Sequence, residues 1–117
     1  MIQIIVIYES CLTRLLGLDG LVLYPFILVS TPKDDTLPST LKHEVTHIHQ
    51  IEREGFCTFY CNYCKYMCND SYENNRYEQE AYSTESKALT PEELERLHLP
   101  PTFPKTDNAL PKRVIIR

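Results

Sequence analysis

The sequence predicts a small α+β domain in which a short N-terminal β-sheet or hairpin is followed by three to four helices. Apolar, often β-branched residues dominate residues 2–7 and 21–29, a pattern typical of strands. Beyond residue 38, apolar residues recur at three- and four-residue spacing, which is typical of amphipathic helices. The length of 117 residues allows one domain with a modest core.

The N-terminal third supplies the strands. Residues 2–7 are nearly continuously apolar and predict a buried strand. Residues 10–18 fit either a short helix or a loop, and an Asp-Gly turn signal follows at residues 19–20. Residues 21–29 predict a second strand. Because proline cannot donate to a β-ladder, Pro25 indicates an edge position or a bulge within it.

The rest of the chain supplies the helices, which are predicted over residues 38–54, 56–69, 75–86 and 90–98. Pro38 suits the first turn of a helix, and Gly55 suits the position after its last turn. Thr90, Pro91 and Glu93 form a helix-start signal, with threonine as N-cap and glutamate three residues later.

The predicted domain covers residues 1–98, and residues 99–117 form a proline-rich tail that is expected to be extended or loose. Residues 114–116 are a candidate short strand. Two roles stay open for the tail. It is either a disordered end or a segment that lies across the functional cleft, as a pro-segment does.

Composition argues against several classes of protein. The net charge is −4 and lysine and arginine do not cluster, so nucleic-acid binding is not expected. The longest uncharged stretch, residues 20–32, is too short for a membrane helix. The N-terminus has no basic region and carries Glu9 and Arg14, which argues against a signal peptide. Five cysteines, four of them crowded together, suit the reducing cytoplasm.

Residues 43–47, His-Glu-Val-Thr-His, match the pattern H-E-x-x-H on a predicted helix. His43 and His47 are four residues apart, so both imidazoles can reach one metal ion. Zinc binds such nitrogens readily. Glu44 lies beside the metal position, where it can take a proton from an attacking water and later donate it.

A catalytic zinc ion needs a third protein ligand. A third histidine six residues after His47 is excluded, because that position is Arg53. His49 lies roughly 200° around the helix from His47 and cannot join the same ion. A carboxylate from another helix remains, with Glu78 and Glu80 as candidates. These two also lie roughly 200° apart, so only one of them can face the metal.

The run H-E-V-T-H-I-H-Q at residues 43–50, followed by Y-E-N-N-R-Y-E-Q-E-A-Y at residues 72–82, resembles the minimal gluzincins. These are very small zinc metallopeptidase-like domains with the pattern H-E-x-x-H-x-x-Q and, later, Y-x-x-N-P-[aromatic]-E-x-E-A. The resemblance covers about residues 20–86. It implies a gluzincin-like α+β fold, a Zn²⁺ cofactor and Glu78 as the third ligand.

The sequence departs from this pattern at two positions. Arg76 replaces the proline, and Tyr82 stands where larger gluzincins often carry an aspartate that supports a ligand histidine. Gln50 is expected either to line the cleft or to bond another helix, and Glu80 to lie near the centre. A tyrosine hydroxyl that stabilises an oxyanion could come from Tyr60, Tyr72 or Tyr82.

The predicted function is zinc-dependent hydrolysis of a peptide or protein substrate, with Glu44 as general base and acid. One alternative is a non-catalytic or latent zinc-binding module that acts through a protein partner, because so short a chain offers only a small cleft. A third hypothesis is a thiol-based redox or metal-sensing protein.

That third hypothesis depends on a row of cysteines spaced 4, 3 and 4 residues apart, at Cys57, Cys61, Cys64 and Cys68. This spacing places them on one face of one helix, where four sulfurs cannot converge on a tetrahedral ion. The row is predicted to be a buried core stripe. A metal site using two of the cysteines and a redox role are the alternatives. Cys11 is predicted to be a core or loop thiol.

Overall fold

A computed structural model describes residues 3–69 and 74–107, which form a three-stranded sheet and five α-helices. The strands are β1 (Ile5–Ile7), β2 (Gly20–Leu23) and β3 (Phe26–Val29). The helices are α1 (Cys11–Leu16), α2 (Pro38–Glu54), α3 (Phe56–Asn69), α4 (Arg76–Thr84) and α5 (Pro91–Arg96). The predicted α+β class is therefore confirmed. One helix more than predicted is present, because residues 10–18 contain α1.

The sheet has the strand order β1-β3-β2, with β3 parallel to β1 and antiparallel to β2. The prediction of one strand over residues 21–29 is wrong, because that segment forms β2 and β3 with Tyr24 and Pro25 between them. Proline cannot continue the ladder, so it lies at the turn. The expected edge position is also wrong for the residues after Pro25, since β3 is the central strand.

Strand β1 is covered on one side only. Ile4, just before it, is 1% exposed and Val6 packs against the core, whereas Ile5 and Ile7 are 46% and 43% exposed. The prediction of a fully buried strand is therefore wrong for alternate residues. The pleat turns successive side chains to opposite faces, and the core contacts only one of them.

Helix α2 is the element around which the core is built, and its predicted bounds are confirmed. Pro38 occupies its first turn, and Gly55 ends it with φ of 93°, a conformation that suits glycine. Val45 and Ile48 are fully buried. Burial of such side chains stabilises the fold by about 1.5–3 kcal/mol each. The helix packs against β2, α3 and α4.

Helix α3 has the predicted bounds, but the prediction of a buried cysteine stripe is wrong. All four of its cysteines are exposed, as is Cys11 on α1. Aromatic residues pack against the core instead: Phe59 is 3% exposed, and Tyr60, Tyr63 and Tyr66 are partly buried. Large rings bury more apolar area than cysteine, so they determine which face of this surface helix turns inward.

The two C-terminal helices begin where the sequence predicts their starts. Asn75 accepts a hydrogen bond from the Tyr77 N–H at the start of α4. At α5, Thr90 and Glu93 form the complete capping box that the sequence predicts. Both helices end about two residues before the predicted limits.

The chain continues to pack against the domain after α5. Leu99 is 7% exposed and Phe103 contacts the core, while the Ser39 N–H donates to Asp107. The packed chain therefore extends past the predicted boundary at residue 98. Residues 108–117, with the candidate strand at 114–116, lie outside the described residues. Within the described part, no helix combines the length and apolarity that crossing a bilayer would require.

Candidate metal centre

Helices α2 and α4 bring together the three predicted metal ligands. His43 and His47 lie one turn apart on α2, and Glu78 lies in the first turn of α4. Glu78 Oε1 is 2.9 Å from His43 Nε2 and 3.1 Å from His47 Nε2. All three side chains are buried, and their potential ligand atoms lie within 4.8 Å of one another. These three residues form the metal-centre cluster.

Each histidine is held from behind by a second side chain. His43 Nδ1 lies 2.9 Å from a carboxylate oxygen of Glu85, and His47 Nδ1 lies 2.8 Å from Gln50 Oε1. A carboxylate only accepts hydrogen bonds, so His43 Nδ1 is the donor. The Gln50 amide nitrogen donates to Glu80 at 2.6 Å, which leaves its oxygen to accept from His47 Nδ1. In its neutral form each imidazole therefore turns an Nε2 lone pair toward Glu78.

This arrangement places three hydrogen-bond acceptors against one another. Two Nε2 lone pairs and a carboxylate oxygen cannot satisfy one another without a positive charge between them. The charge can come from protons on the imidazoles or from a metal ion. Two imidazole nitrogens and one carboxylate, each supported from behind, suit a divalent ion that accepts nitrogen and oxygen ligands. The residues present therefore fit a metal ion.

The ionisation of the cluster reflects the same demand for a cation. Burial alone would raise the pKa of Glu78, but its contacts with His43 and His47 hold that pKa well below its usual range. Burial alone would lower the pKa of His43, yet Glu78 and Glu44 raise it above its usual value. The surroundings of the cluster therefore favour an ionised carboxylate and a positive charge beside it.

Glu44 lies beside the cluster and is only 6% exposed. Its carboxylate has no hydrogen-bond partner within residues 3–69 and 74–107. Burial raises the pKa of Glu44 to about 7, although His47 and His43 oppose this effect. Gly20 permits the close approach, because a Cβ atom there would lie 2.7 Å from a Glu44 oxygen. Any larger residue at position 20 would displace the carboxylate.

Two cavities share Glu44 in their lining. The larger, of about 390 Å³, lies between the segment of residues 17–20 and α4, where His43, Tyr82 and Glu85 line it. The smaller, of about 90 Å³, lies between β2 and α3, beside His47 and Glu78. The space next to Glu44 can therefore be reached from both sides of the metal-centre cluster.

Helix α3 contributes two tyrosine hydroxyls to the smaller cavity. The Tyr63 hydroxyl donates to Glu78 Oε2, which leaves Oε1 for the two imidazoles. The Tyr60 hydroxyl donates to the Val22 carbonyl at 2.7 Å and accepts the Tyr24 N–H at 3.3 Å. The Tyr60 hydroxyl therefore already bonds peptide groups on the edge of β2 that does not pair with β3.

The other predicted site residues have different positions. Gln50 bonds His47 and α4, which is one of the two roles expected for it. Glu80 is half exposed and bonds Gln50, away from the metal-centre cluster. Tyr82 lies against the His43 ring, with centroids 4.8 Å apart. Tyr72 lies outside the described residues.

Three residues at the site were not found by sequence reasoning: Gly20, Tyr63 and Glu85. Glu85 follows Glu78 by seven residues, or two helical turns, so this spacing was a usable signal. It supports His43 in the way expected of an acidic residue at position 82. Gly20 resembled an ordinary turn glycine, and only the packing of α2 over β2 reveals its contact with Glu44.

A second cluster, around the buried carboxylate of Glu93, lies on another side of α2, facing α5. Glu93 accepts hydrogen bonds from Lys42 at 2.7 Å and from His49 at 2.8 Å, and these three residues form the Glu93 cluster. Burial alone would raise the pKa of Glu93, but the contacts with His49 and Lys42 lower it to about 2. Next to it, Arg96 donates to both oxygens of Glu52 at 2.9 and 2.6 Å.

The chain matches no protein-family profile, no curated protein and no solved structure. Its chemistry is therefore argued from the site alone. A buried set of potential metal ligands, with the carboxylate of Glu44 between two cavities, suits hydrolysis assisted by a metal ion.

Proposed function

We propose that this protein is a zinc-dependent peptidase of the gluzincin type. The observation that carries the proposal is the convergence of two supported imidazoles and Glu78 beside the buried carboxylate of Glu44. His43, His47 and Glu78 would hold the zinc ion. When bound, zinc would polarise the substrate carbonyl and make a bound water more acidic.

The other residues have roles that follow from their contacts. Glu44 takes the proton of the attacking water and passes it to the leaving amine. Gly20 leaves room for that carboxylate. Glu85 and Gln50 hold the two imidazoles in the ligating tautomer and orientation. Tyr63 is a positioning residue, because its hydroxyl holds Glu78 through the oxygen that faces away from the histidines.

A peptide substrate is favoured by the position of β2. This strand forms one edge of the sheet and lines the smaller cavity beside Glu44. An extended peptide can add to such an edge through main-chain hydrogen bonds, which would bring its backbone next to Glu44.

One observation favours the second candidate, a latent or non-catalytic zinc module that acts through a protein partner. The Tyr60 hydroxyl already bonds the Val22 carbonyl and the Tyr24 N–H on the edge that a peptide would use. In the latent form, a partner or a shift of α3 would have to withdraw this hydroxyl.

We also assign the protein to the reducing cytoplasm. All five cysteines are free thiols, and all five are exposed. Such thiols persist where glutathione and thioredoxin keep them reduced.

The experiment is hydrolysis of a peptide library by the zinc-loaded protein, read by mass spectrometry. Glu44→Gln is expected to retain zinc and to lose about 10²–10⁴-fold in rate. Glu95→Gln, at an exposed position on α5, is the matched control and should keep the full rate. Equal rates for the Glu44→Gln variant and the unaltered protein would contradict the catalytic proposal.

Tyr60→Phe distinguishes the two candidates. It removes the hydroxyl from the edge of β2 and keeps the ring that packs against Phe59. Turnover that appears or rises in this variant would identify a latent peptidase. Full zinc occupancy without turnover, in both the unaltered protein and this variant, would favour the non-catalytic module.

A further inference from the structure

Helix α3 carries a row of four exposed thiols that the proposed peptidase does not use. The row consists of Cys57, Cys61, Cys64 and Cys68, all of them free. Because they are exposed, they contribute no core packing. Their opposite, aromatic face holds the helix against the domain and lines the cleft. The row therefore needs an explanation of its own.

Neighbouring cysteines in the row are close enough for two of them to bind one ion. Side chains three or four residues apart on a helix have Cβ atoms about 5–6 Å apart. Their sulfurs can therefore approach one ion from opposite sides. Cysteines seven residues apart are separated by about 10.5 Å along the helix, too far to share an ion.

The pairwise spacing selects the kind of ion. Among the described residues, only the metal-centre cluster brings three ligating atoms within 4.8 Å of one another. The row thus offers two thiolates at a time, whereas a structural zinc ion requires four ligands. Thiolates select soft ions such as monovalent copper, which is stable with two sulfur ligands.

We propose that α3 binds two soft monovalent cations of the copper(I) type. One is held by Cys57 and Cys61 and the other by Cys64 and Cys68. Each ion replaces two thiol protons, which are released to solvent, so each occupied pair carries a net charge of −1. Lys65 follows Cys61 by four residues and precedes Cys68 by three, so its ammonium can offset this charge. The metal oxidation state does not change.

The test is an anaerobic titration of the reduced full-length chain with copper(I), in competition with a chromophoric copper(I) chelator. Two ions per chain are expected. Cys11→Ser removes an exposed thiol from α1 and should leave both. His43→Ala should also leave both, so this result does not depend on the proposed peptidase function.

Three double variants keep the same number of thiols on α3 and change only their spacing. Cys57→Ser with Cys61→Ser leaves a pair four residues apart and should retain one ion. Cys57→Ser with Cys68→Ser leaves a pair three residues apart and should also retain one. Cys57→Ser with Cys64→Ser leaves thiols seven residues apart and should retain none. Circular dichroism checks that the exposed serines leave the helix content unchanged.

Equal copper binding by the three double variants would overturn the proposal, because thiol number and not spacing would then govern binding. Absence of competition with the chelator by the unaltered chain would overturn it as well. A complex in which two chains share one ion, seen by size-exclusion chromatography, would overturn the single-helix sites.

Discussion

Helix α2 contributes to two clusters that each join histidine to a buried carboxylate, and they differ in where their positive charge comes from. In the Glu93 cluster, the carboxylate lies 2.7 Å from the ammonium of Lys42. In the metal-centre cluster, Glu78 faces the Nε2 atoms of two imidazoles whose Nδ1 protons are already donated elsewhere. The first is neutralised by a cation of the chain itself. In the second, the positive charge has to come from protons on the imidazoles or from a metal ion.

The clusters also differ in access. Glu78 and both histidines of the metal-centre cluster line cavities that Glu44 shares. Glu93 is 4% exposed and closes the capping box of α5, where its own backbone and that of Thr90 are bonded. The comparison teaches that a buried carboxylate bonded to a histidine does not suffice to indicate a metal site. Imidazole lone pairs that accept no proton and lie next to an accessible cavity are a more informative indication of a metal site.

The two clusters are expected to differ most in how much each carboxylate stabilises the metal-free protein. Glu93→Gln leaves the buried Lys42 without its counter-charge and should lower the free energy of unfolding by about 3–5 kcal/mol. At alkaline pH, where the imidazoles are neutral, Glu78→Gln should change it by less than about 0.5 kcal/mol or raise it, because the new amide can donate to both Nε2 atoms. Urea denaturation of chelator-treated protein measures both. A loss of several kcal/mol in Glu78→Gln would break the distinction.

For zinc affinity, the two variants should rank in the reverse order, with the larger loss in Glu78→Gln. Glu78→Gln removes one of three ligands and should weaken binding by more than about 100-fold, or about 2.7 kcal/mol. Glu93→Gln should leave the affinity unchanged wherever the variant is folded. Competition with a zinc-binding dye at neutral pH gives both values. Comparable losses in the two variants would mean that the two clusters act as one.

Acid should weaken the Glu93 cluster in a defined window. Its folded-state pKa of about 2 lies below the ordinary value of 4.5, so its stabilisation is complete above that value and is lost as pH falls toward 2. Between pH 7 and pH 3 the advantage of metal-free, unaltered protein over Glu93→Gln should shrink by about 2 kcal/mol. Urea midpoints at both pH values measure it. A constant difference would contradict the sign of this shift.

The smallest expected effect comes from the support behind His43. Glu85→Gln keeps a hydrogen-bond acceptor but removes the charge, and should weaken zinc binding by about tenfold, or about 1.4 kcal/mol. His49→Gln, on the α5 side of the same helix, is the matched control and should have no effect on affinity. Isothermal titration calorimetry resolves the difference. A loss in the control equal to that in Glu85→Gln would show that the effect is one of helix stability.

Local signals in the sequence predicted much of the fold. The bounds of α2 follow from Pro38, the apolar stripe and Gly55, and the start of α5 follows from its capping box. These features act within a few residues of the chain. The strand prediction failed at Pro25 and the thiol prediction failed on α3. In both cases the sequence showed an apolar pattern, but the packing of the elements determined which of its residues became buried.

For the site, the sequence alone determined that His43 and His47 lie on one helical face with Glu44 beside them. It also indicated a carboxylate from a later helix, because helix periodicity is a local property. Only the tertiary structure decided that Glu85 and Gln50 support the histidines, that Tyr63 holds Glu78, and that Gly20 admits Glu44. Except for the His47–Gln50 contact, which the bond from Gln50 to Glu80 on α4 orients, these contacts join residues far apart in the chain. Long-range packing of α2, α3, α4 and β2 determines which of them meet.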